Sequence, residues 1–306
     1  MPPPSEAEVL ATFGRGLLLQ LADGSLCQAR PFGRKLVIVC GDRVRFEADA
    51  HGEALVREVL PRRSALWRSN ARGGSELLAA NLDLLCVVLA PVPEPDFFMV
   101  DRYLSAARSA GMDAALILNK DDLPTEGAID TEIAGFASLA YPVLRVGAKA
   151  SHGLDALDAL LSGRTAALVG QSGVGKSSLI RRLASDGDVA LTGTLVREEE
   201  GRHTTTASRR YTLRSGGGLV DSPGVRDYAP SIDHLEGSAL GFVEIERFAG
   251  GCRFQDCRHL QEPQCAVRTA VDSGTISARR YESYRRLRRL FERLREARHP
   301  ANRGRY

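Results

Sequence analysis

The chain has 306 residues, 43% of them hydrophobic and 26% charged, with a formal net charge of +3. That apolar content can bury real cores and the length exceeds one core of typical size, so two or three folded domains are expected and a disordered or fibrous chain is excluded. No uninterrupted apolar run approaches the ~18 residues of a membrane span, and the start MPPPSEAEVLATFGRG lacks the basic residues and apolar block of a secretory leader. A soluble, cytoplasmic protein with no membrane partner is therefore expected.

Residues 12–60 read as five short strands: GLLLQLA, LCQAR, KLVIVC, GDRVRFEA and EALVREVL, separated by turn signals such as DGS and DAHG. This predicts a small all-β barrel over residues 1–64, OB-like or SH3-like. Arg30, Arg34, Lys35, Arg43, Arg45, Arg57, Arg62 and Arg63 would give it a basic face suited to nucleic acid. From Leu82 onward, apolar runs of strand length (LDLLCVVLA, DAALILN, PVLRVGA, TAALVG) alternate with helical stretches, and Pro91, Pro93 and Pro95 mark a strand-to-helix loop. Such alternation predicts βαβ units and a parallel sheet buried on both faces, assigned to residues 65–232. The polar stretch TGTLVREEEGRHTTTASRR reads as a long loop. Residues 233–306 form a mainly helical, cysteine-bearing unit, and in its last helix Tyr281, Tyr284, Leu287, Leu290, Phe291 and Leu294 recur every three or four positions. Residues 277–306 carry eleven Arg against three Glu, a local +8, so the remainder nets 3 − 8 = −5. The excess predicts an Arg-covered face for an anionic partner, or a solvated helix surface.

GQSGVGKSS, Gly170–Ser178, follows an apolar strand and opens a helix, as a phosphate-binding loop requires. Gly170, Gln171, Ser172, Gly173, Val174 and Gly175 would turn backbone N–H groups onto phosphates. Lys176 would neutralise the β and γ oxygens, Ser177 would give a hydroxyl to Mg²⁺, and Ser178 would add the next amide at the helix N-terminus. In DSPG, Asp221 would hold Mg²⁺ through water and Gly224 would offer its amide to the γ-phosphate. NKDD supplies Asn119, Lys120, Asp121 and Asp122 after another apolar strand, and the Asp122 carboxylate can accept from guanine N1–H and its 2-amino group. Adenine offers neither donor there, so ATP would leave a buried acceptor unpaired. Ala148 and Lys149, in VGAKA after the next strand, would bring backbone amides to the base. The base half thus precedes the phosphate half, which requires one nucleotide site assembled from a chain threaded in rotated order.

Six cysteines occur, and three of them join a histidine as Cys252, Cys257, His259 and Cys265, spaced C-x4-C-x-H-x5-C. Three thiolates and one imidazole predict a closed, structural tetrahedral Zn²⁺ site, while Cys27, Cys40 and Cys86 read as ordinary buried thiols. The order NKDD, GQSGVGKSS, GRHTTT, DSPG and then the Cys/His cluster, behind a small β-barrel, resembles the circularly permuted GTPases of the RsgA/YjeQ family over nearly the whole chain.

The resemblance implies an OB-fold barrel, a permuted GTPase domain and a zinc domain. It also implies a GTPase stimulated by the small (30S) ribosomal subunit, acting late in its maturation as a monomer with GTP/GDP, the 30S subunit and 16S rRNA as partners. It further implies that His203 orients the attacking water and that Thr205, among Thr204–Thr206, closes on Mg²⁺. Val225 stands where Ras-like proteins carry a water-positioning Gln, so slow intrinsic hydrolysis is expected. Gly147 stands where the family usually has Ser. Two other readings remain: a permuted GTPase serving another ribosomal or RNA partner, and a nucleotide-gated RNA-binding switch that hardly hydrolyses.

Overall fold

The computed structural model describes residues 5–14, 16–48, 53–69, 74–125, 127–149, 152–185, 208–222, 230–235 and 237–298. At the N-terminus, β1 (Ser5–Phe13), β2 (Gly16–Leu21), β3 (Leu26–Pro31), β4 (Arg43–Ala48) and β5 (Ala54–Val59) pair in the order β1-β2-β3-β5-β4, and β4 returns to β1. That closure makes the five-stranded OB barrel. Its interior is small and aliphatic, with Val9, Leu17, Leu19, Val44 and Val56 buried.

The strand membership differs from the sequence reading at two places. SEAEVLATF forms β1, although nothing in its pattern announced a strand. KLVIVC is not a strand, because the Val39 N–H donates to the Asp42 carboxylate (2.9 Å), which Arg62 grips in turn (2.7 Å). A local side-chain acceptor outcompetes a ladder there. Beyond the barrel, β6 (Ala65–Ser69) and β7 (Ser75–Ala80) form a separate hairpin.

The central unit alternates β8 (Leu84–Leu89), α1 (Phe97–Ser109), β9 (Asp113–Asn119), α2 (Gly127–Ser138), β10 (Val143–Val146), α3 (Leu154–Leu161), β11 (Thr165–Val169) and α4 (Lys176–Leu183). The strands β12 (Ser208–Thr212) and β13 (Gly218–Asp221) follow, and the sheet order is β10-β9-β8-β11-β13-β12. All neighbours run parallel except β12 against β13. Side chains alternate between two buried faces: Leu85, Val87 and Val169 pack with α1 and α2, and Cys86, Val88 and Leu168 pack with α3 and α4.

The chain winds from β8 outward to β10, then returns to β11 on the other side of β8. That reversal is a topological switch point, the place where open α/β sheets receive ligands. The loop expected over residues 190–210 ends earlier than predicted, because Ser208–Thr212 is strand. It gains partners on both edges, β13 on one and the barrel's β1 on the other, in the registers Ala11↔Arg209 and Thr12↔Ser208. A bulge between Val9 and Ala11 lets β1 serve β4 at one end and β12 at the other.

The C-terminal unit packs α5 (Val243–Ala249), α6 (Ala266–Asp272) and α7 (Ala278–Arg298) around Leu240, Phe242, Ile245, Val267, Tyr284 and Leu287. Tyr281, Leu290, Phe291 and Leu294 flank that core, so the predicted apolar stripe of the last helix faces inward. Its arginines are not all outward, as the sequence reading had them. Arg280 is 4% exposed, forks onto Glu244 and reaches Asp101, while Arg279 pairs with Asp101 and Glu132. This buried network fastens α7 to α1 and α2. Among the described residues no helix is long and apolar enough to cross a membrane.

Candidate active site and metal centre

Asn119, at the end of β9, joins the two halves of the predicted site. Its side chain is 2% exposed; Nδ2 donates to the Val174 carbonyl of the phosphate loop (2.8 Å), and Oδ1 accepts the Ala148 N–H of the base loop (3.3 Å). A single amide thus stitches three segments that lie far apart in sequence. Gly175 permits the approach: its φ is +99°, and a Cβ there would collide with the Asn119 amide. Gly170, at φ +141°, lies so close to the Val88 carbonyl that any side chain would strike it. These two positions set the glycine-rich loop across the β8/β11 switch point, packed against Val88 and Asn119.

Lys176 is 8% exposed, and its Nζ donates to the carbonyls of Gly170 (2.7 Å) and Gln171 (2.8 Å), which holds the ammonium over the mouth of the loop. Ser177 and Ser178 begin α4 beside it, and Asp221, 8% exposed, ends β13, the strand next to β11. Ser172 and Gly173 form the exposed tip of the loop. The Gln171 side chain accepts from the Asp96 N–H (3.3 Å) and donates to the Glu94 carbonyl (3.2 Å), which anchors the loop to the Pro-rich β8–α1 connection. Lys120, at φ +59°, reaches the same connection through the Val92 carbonyl (2.6 Å).

Asp122 is exposed, while its neighbour Asp121 faces Arg145 (3.5 Å) and His152 (3.3 Å) and so braces the loop. Ala148 is buried and Lys149 exposed. His203, Thr204, Thr205, Thr206, Gly224 and Val225 lie outside the described residues. Sequence reasoning missed Gln171 as a brace, along with the β8–α1 connection it grips, because both act through partners far along the chain. The donor set suits a Mg²⁺-nucleotide: a hydroxyl at Ser177, a buried carboxylate at Asp221, and the ammonium of Lys176 beside the glycine-rich loop.

In the C-terminal unit the ligand atoms of Cys252, Cys257, His259 and Cys265 all lie within 4.8 Å of one another. The Cys252 and Cys265 sulfurs are 3.8 Å apart, and His259 Nδ1 is 3.4 and 3.5 Å from them. Tetrahedral Zn–S bonds of about 2.3 Å place two sulfurs roughly 3.8 Å apart, the spacing Cys252 and Cys265 already have, so the cluster's donors fit zinc. Burial pushes the Cys257 thiol up to about 12 and raises Cys265, whereas burial lowers His259. A dication supplies the charge that turns such thiols into thiolates, and a neutral imidazole is already the ligand form. Tyr281 and Tyr284 of α7 donate to the carbonyls of His259 (2.6 Å) and Arg258 (2.7 Å), pinning the ligand loop. Of the other thiols, Cys40 and Cys86 are fully buried and Cys27 is half-buried.

The barrel's basic face is weaker than its arginine count suggests. Arg30 pairs with Glu53, Arg43 and Arg45 with Glu6, Arg57 with Glu47, Arg62 with Asp42 and Arg63 with Asp83. Arg34 and Lys35 stand beside the exposed apolar residues Phe32 and Val37.

A phosphate loop after β11, a guanine-type Asn-Lys-x-Asp loop after β9, and one amide joining them define a P-loop GTPase whose base half precedes its phosphate half. The sequence profile of the family described as RsgA GTPase matches residues 59–230, and the chain belongs to that family and is a GTPase. It is 39% identical over 294 residues to the small ribosomal subunit biogenesis GTPase RsgA of Azotobacter vinelandii, covering 93% of this chain and 85% of that protein. It is 42% identical over 293 residues to the protein of the same name from Chromohalobacter salexigens, covering 93% and 86%. Among solved structures it resembles YjeQ from Thermotoga maritima, with a TM-score of 0.72 and 27% identity over 99% of this chain and 100% of that one. It shares the fold of YloQ, described as a circularly permuted GTPase, with a TM-score of 0.71 and 22% identity over 100% and 98%.

Proposed function

We propose that this GTPase acts in maturation of the small ribosomal subunit, hydrolysing GTP slowly alone and faster when the 30S particle engages it. The observation that carries this reading is similarity to small-subunit biogenesis GTPases along 93% of the chain, barrel and zinc cluster included. A cytoplasmic monomer that contacts 16S rRNA through the barrel and the outer arginines of α7 fits the same picture, with Arg286, Arg289 and Arg293 on one helix surface. The proposed division is a barrel over 1–64, the GTPase unit over 65–232 and the zinc unit over 233–306.

In this reading Asp122 accepts from guanine N1–H and the 2-amino group, with Asn119 holding its loop against the phosphate loop. Lys120 and Asp121 set the loop's backbone, and the base loop presents the amide of Lys149, the Ala148 N–H being held by Asn119 Oδ1. Lys176 exchanges its carbonyl partners for β and γ oxygens, and amides of residues 170–178 take the remaining phosphate charge. Ser177, Asp221 through water and Thr205 would hold Mg²⁺, which would supply neutralisation of charge on the leaving oxygen. Gly224 offers its amide to the γ-phosphate. His203 orients the water. Catalysis therefore comes from positioning and preset charge.

The test is the GTP turnover rate with purified 30S subunits, with 50S subunits and with neither, for the unmodified chain and for Lys176→Ala. Stimulation by 30S alone, abolished in Lys176→Ala, is expected. Equal rates in all three conditions would remove the ribosomal assignment while leaving the GTPase itself intact.

A further inference from the structure

We propose that Arg182 is a positioning residue for guanine recognition: from the last turn of α4 it fixes the base loop relative to the phosphate loop. Its Nε donates to the Ala148 carbonyl (3.1 Å) and its terminal nitrogen to the Lys149 carbonyl (3.5 Å). The preceding residue behaves differently, since Arg181 turns back onto its own helix and donates to the Ser177 carbonyl (3.2 Å). Both arginines stand in the last turn of α4, where a cation is favourable against the helix dipole, but only Arg182 reaches another element that lines the site.

The consequence follows from the geometry of the helix and the peptide. Arg182 lies six residues beyond Lys176, about 9 Å along the axis of a rigid rod whose other end carries the phosphate loop. A trans peptide points its C=O and N–H in opposite directions, so fixing the Ala148 carbonyl toward Arg182 sends the Lys149 N–H away from it. The Ala148 N–H is already taken by Asn119 Oδ1. Asn119 and Arg182 therefore hold the same dipeptide from two sides, and together they leave the Lys149 amide as the donor aimed at an acceptor on the base. Guanine presents a carbonyl oxygen at its six position and adenine an amino group there, so the orientation of this amide bears on selectivity as well as on affinity.

This inference rests on the assignment of residues 147–149 as the base loop, and the experiment separates the two. Release of a fluorescent GDP derivative is timed for the unmodified chain and for Arg182→Ala, Arg182→Lys, Arg181→Ala and Asp122→Ala. Competition by inorganic pyrophosphate, which engages the phosphate loop alone, is measured in parallel. Arg182→Ala is expected to release GDP roughly tenfold faster, the scale of two lost hydrogen bonds of modest net strength, with pyrophosphate competition unchanged. Arg182→Lys keeps the charge but loses the fork and should fall between, and Arg181→Ala should match the unmodified chain. Release from Arg182→Ala within twofold of the unmodified rate overturns the proposal, as does an equal loss of pyrophosphate competition. Should Arg182→Ala fail to fold, unchanged release from Arg182→Lys overturns it instead. No effect of Asp122→Ala would remove the base-site assignment, and this proposal with it.

Discussion

Replacing Arg280 by methionine should destabilise the protein by about 3 kcal/mol, roughly a hundredfold in the folding equilibrium. Arg280 and Glu244 are each 4% exposed and Asp101 is 1% exposed, so the guanidinium is the charge that makes two buried carboxylates tolerable. Breaking a buried pair from one side costs about 3–5 kcal/mol, mostly as the penalty on the charge left behind. The lower end applies here, because Asp101 keeps Arg279 while Glu244 loses the fork it receives from Arg280 Nε and its terminal nitrogen. A second variant tests the reasoning. With Glu244→Met added, no carboxylate is stranded, and stability should return to within about 1 kcal/mol of the unmodified chain. The assay is urea unfolding followed by fluorescence of the single tryptophan, Trp67, whose ring stacks on His234 with centroids 4.2 Å apart beside the C-terminal core. A loss under about 0.5 kcal/mol for the single variant, or a double variant less stable than the single, would refute the argument.

Three further outcomes are expected. Gly175→Ala places a Cβ against Asn119 at φ +99°, so nucleotide affinity should fall at least about tenfold, measured by titration calorimetry. Elemental analysis should find one zinc per chain, reduced well below one in Cys265→Ser, with chelation melting the helical signal of the C-terminal unit. At Glu262, burial works to raise the carboxyl, but N–H donors from Arg258, Leu260 and Gln261 outweigh it and hold the group down at about 2. A depressed folded value stabilises above the unfolded value and is lost as pH falls. The stability advantage over Glu262→Gln should thus be complete above about pH 4.5 and vanish toward pH 2 in thermal melts.

Much of the site was legible because its chemistry is local. The phosphate loop, the Asn-Lys-Asp-Asp run and the Cys/His cluster each compress their function into a few neighbouring residues, and the apolar strands before the first two supplied their context. What escaped was non-local. β1 gave no alternation because Val9, Leu10 and Ala11 are buried in succession where the strand passes between barrel and central sheet. SRRYT reads as the end of a polar loop, yet it is strand because β1 and β13 both supply partners. The roles of Arg182, Arg280 and Gln171 depend on carbonyls and carboxylates tens of residues away, and no spacing rule announces those. The paired arginines of the barrel are the converse case. A count of basic residues overstated the field, because the carboxylates that quench it, such as Glu6, Asp42 and Asp83, lie elsewhere along the chain.

The central claim is that a base-reading segment and a phosphate-holding segment form one pocket despite their reversed order. Single-turnover hydrolysis of GTP, ATP and XTP by the unmodified chain and by Asp122→Asn tests it most directly. Asparagine presents a donor where aspartate presents only acceptors, and xanthine carries an oxygen where guanine carries the 2-amino group. The account predicts a strong preference for GTP in the unmodified chain and a reversal toward XTP in the variant. Unchanged preference in Asp122→Asn, or equal use of GTP and ATP by the unmodified chain, would contradict it.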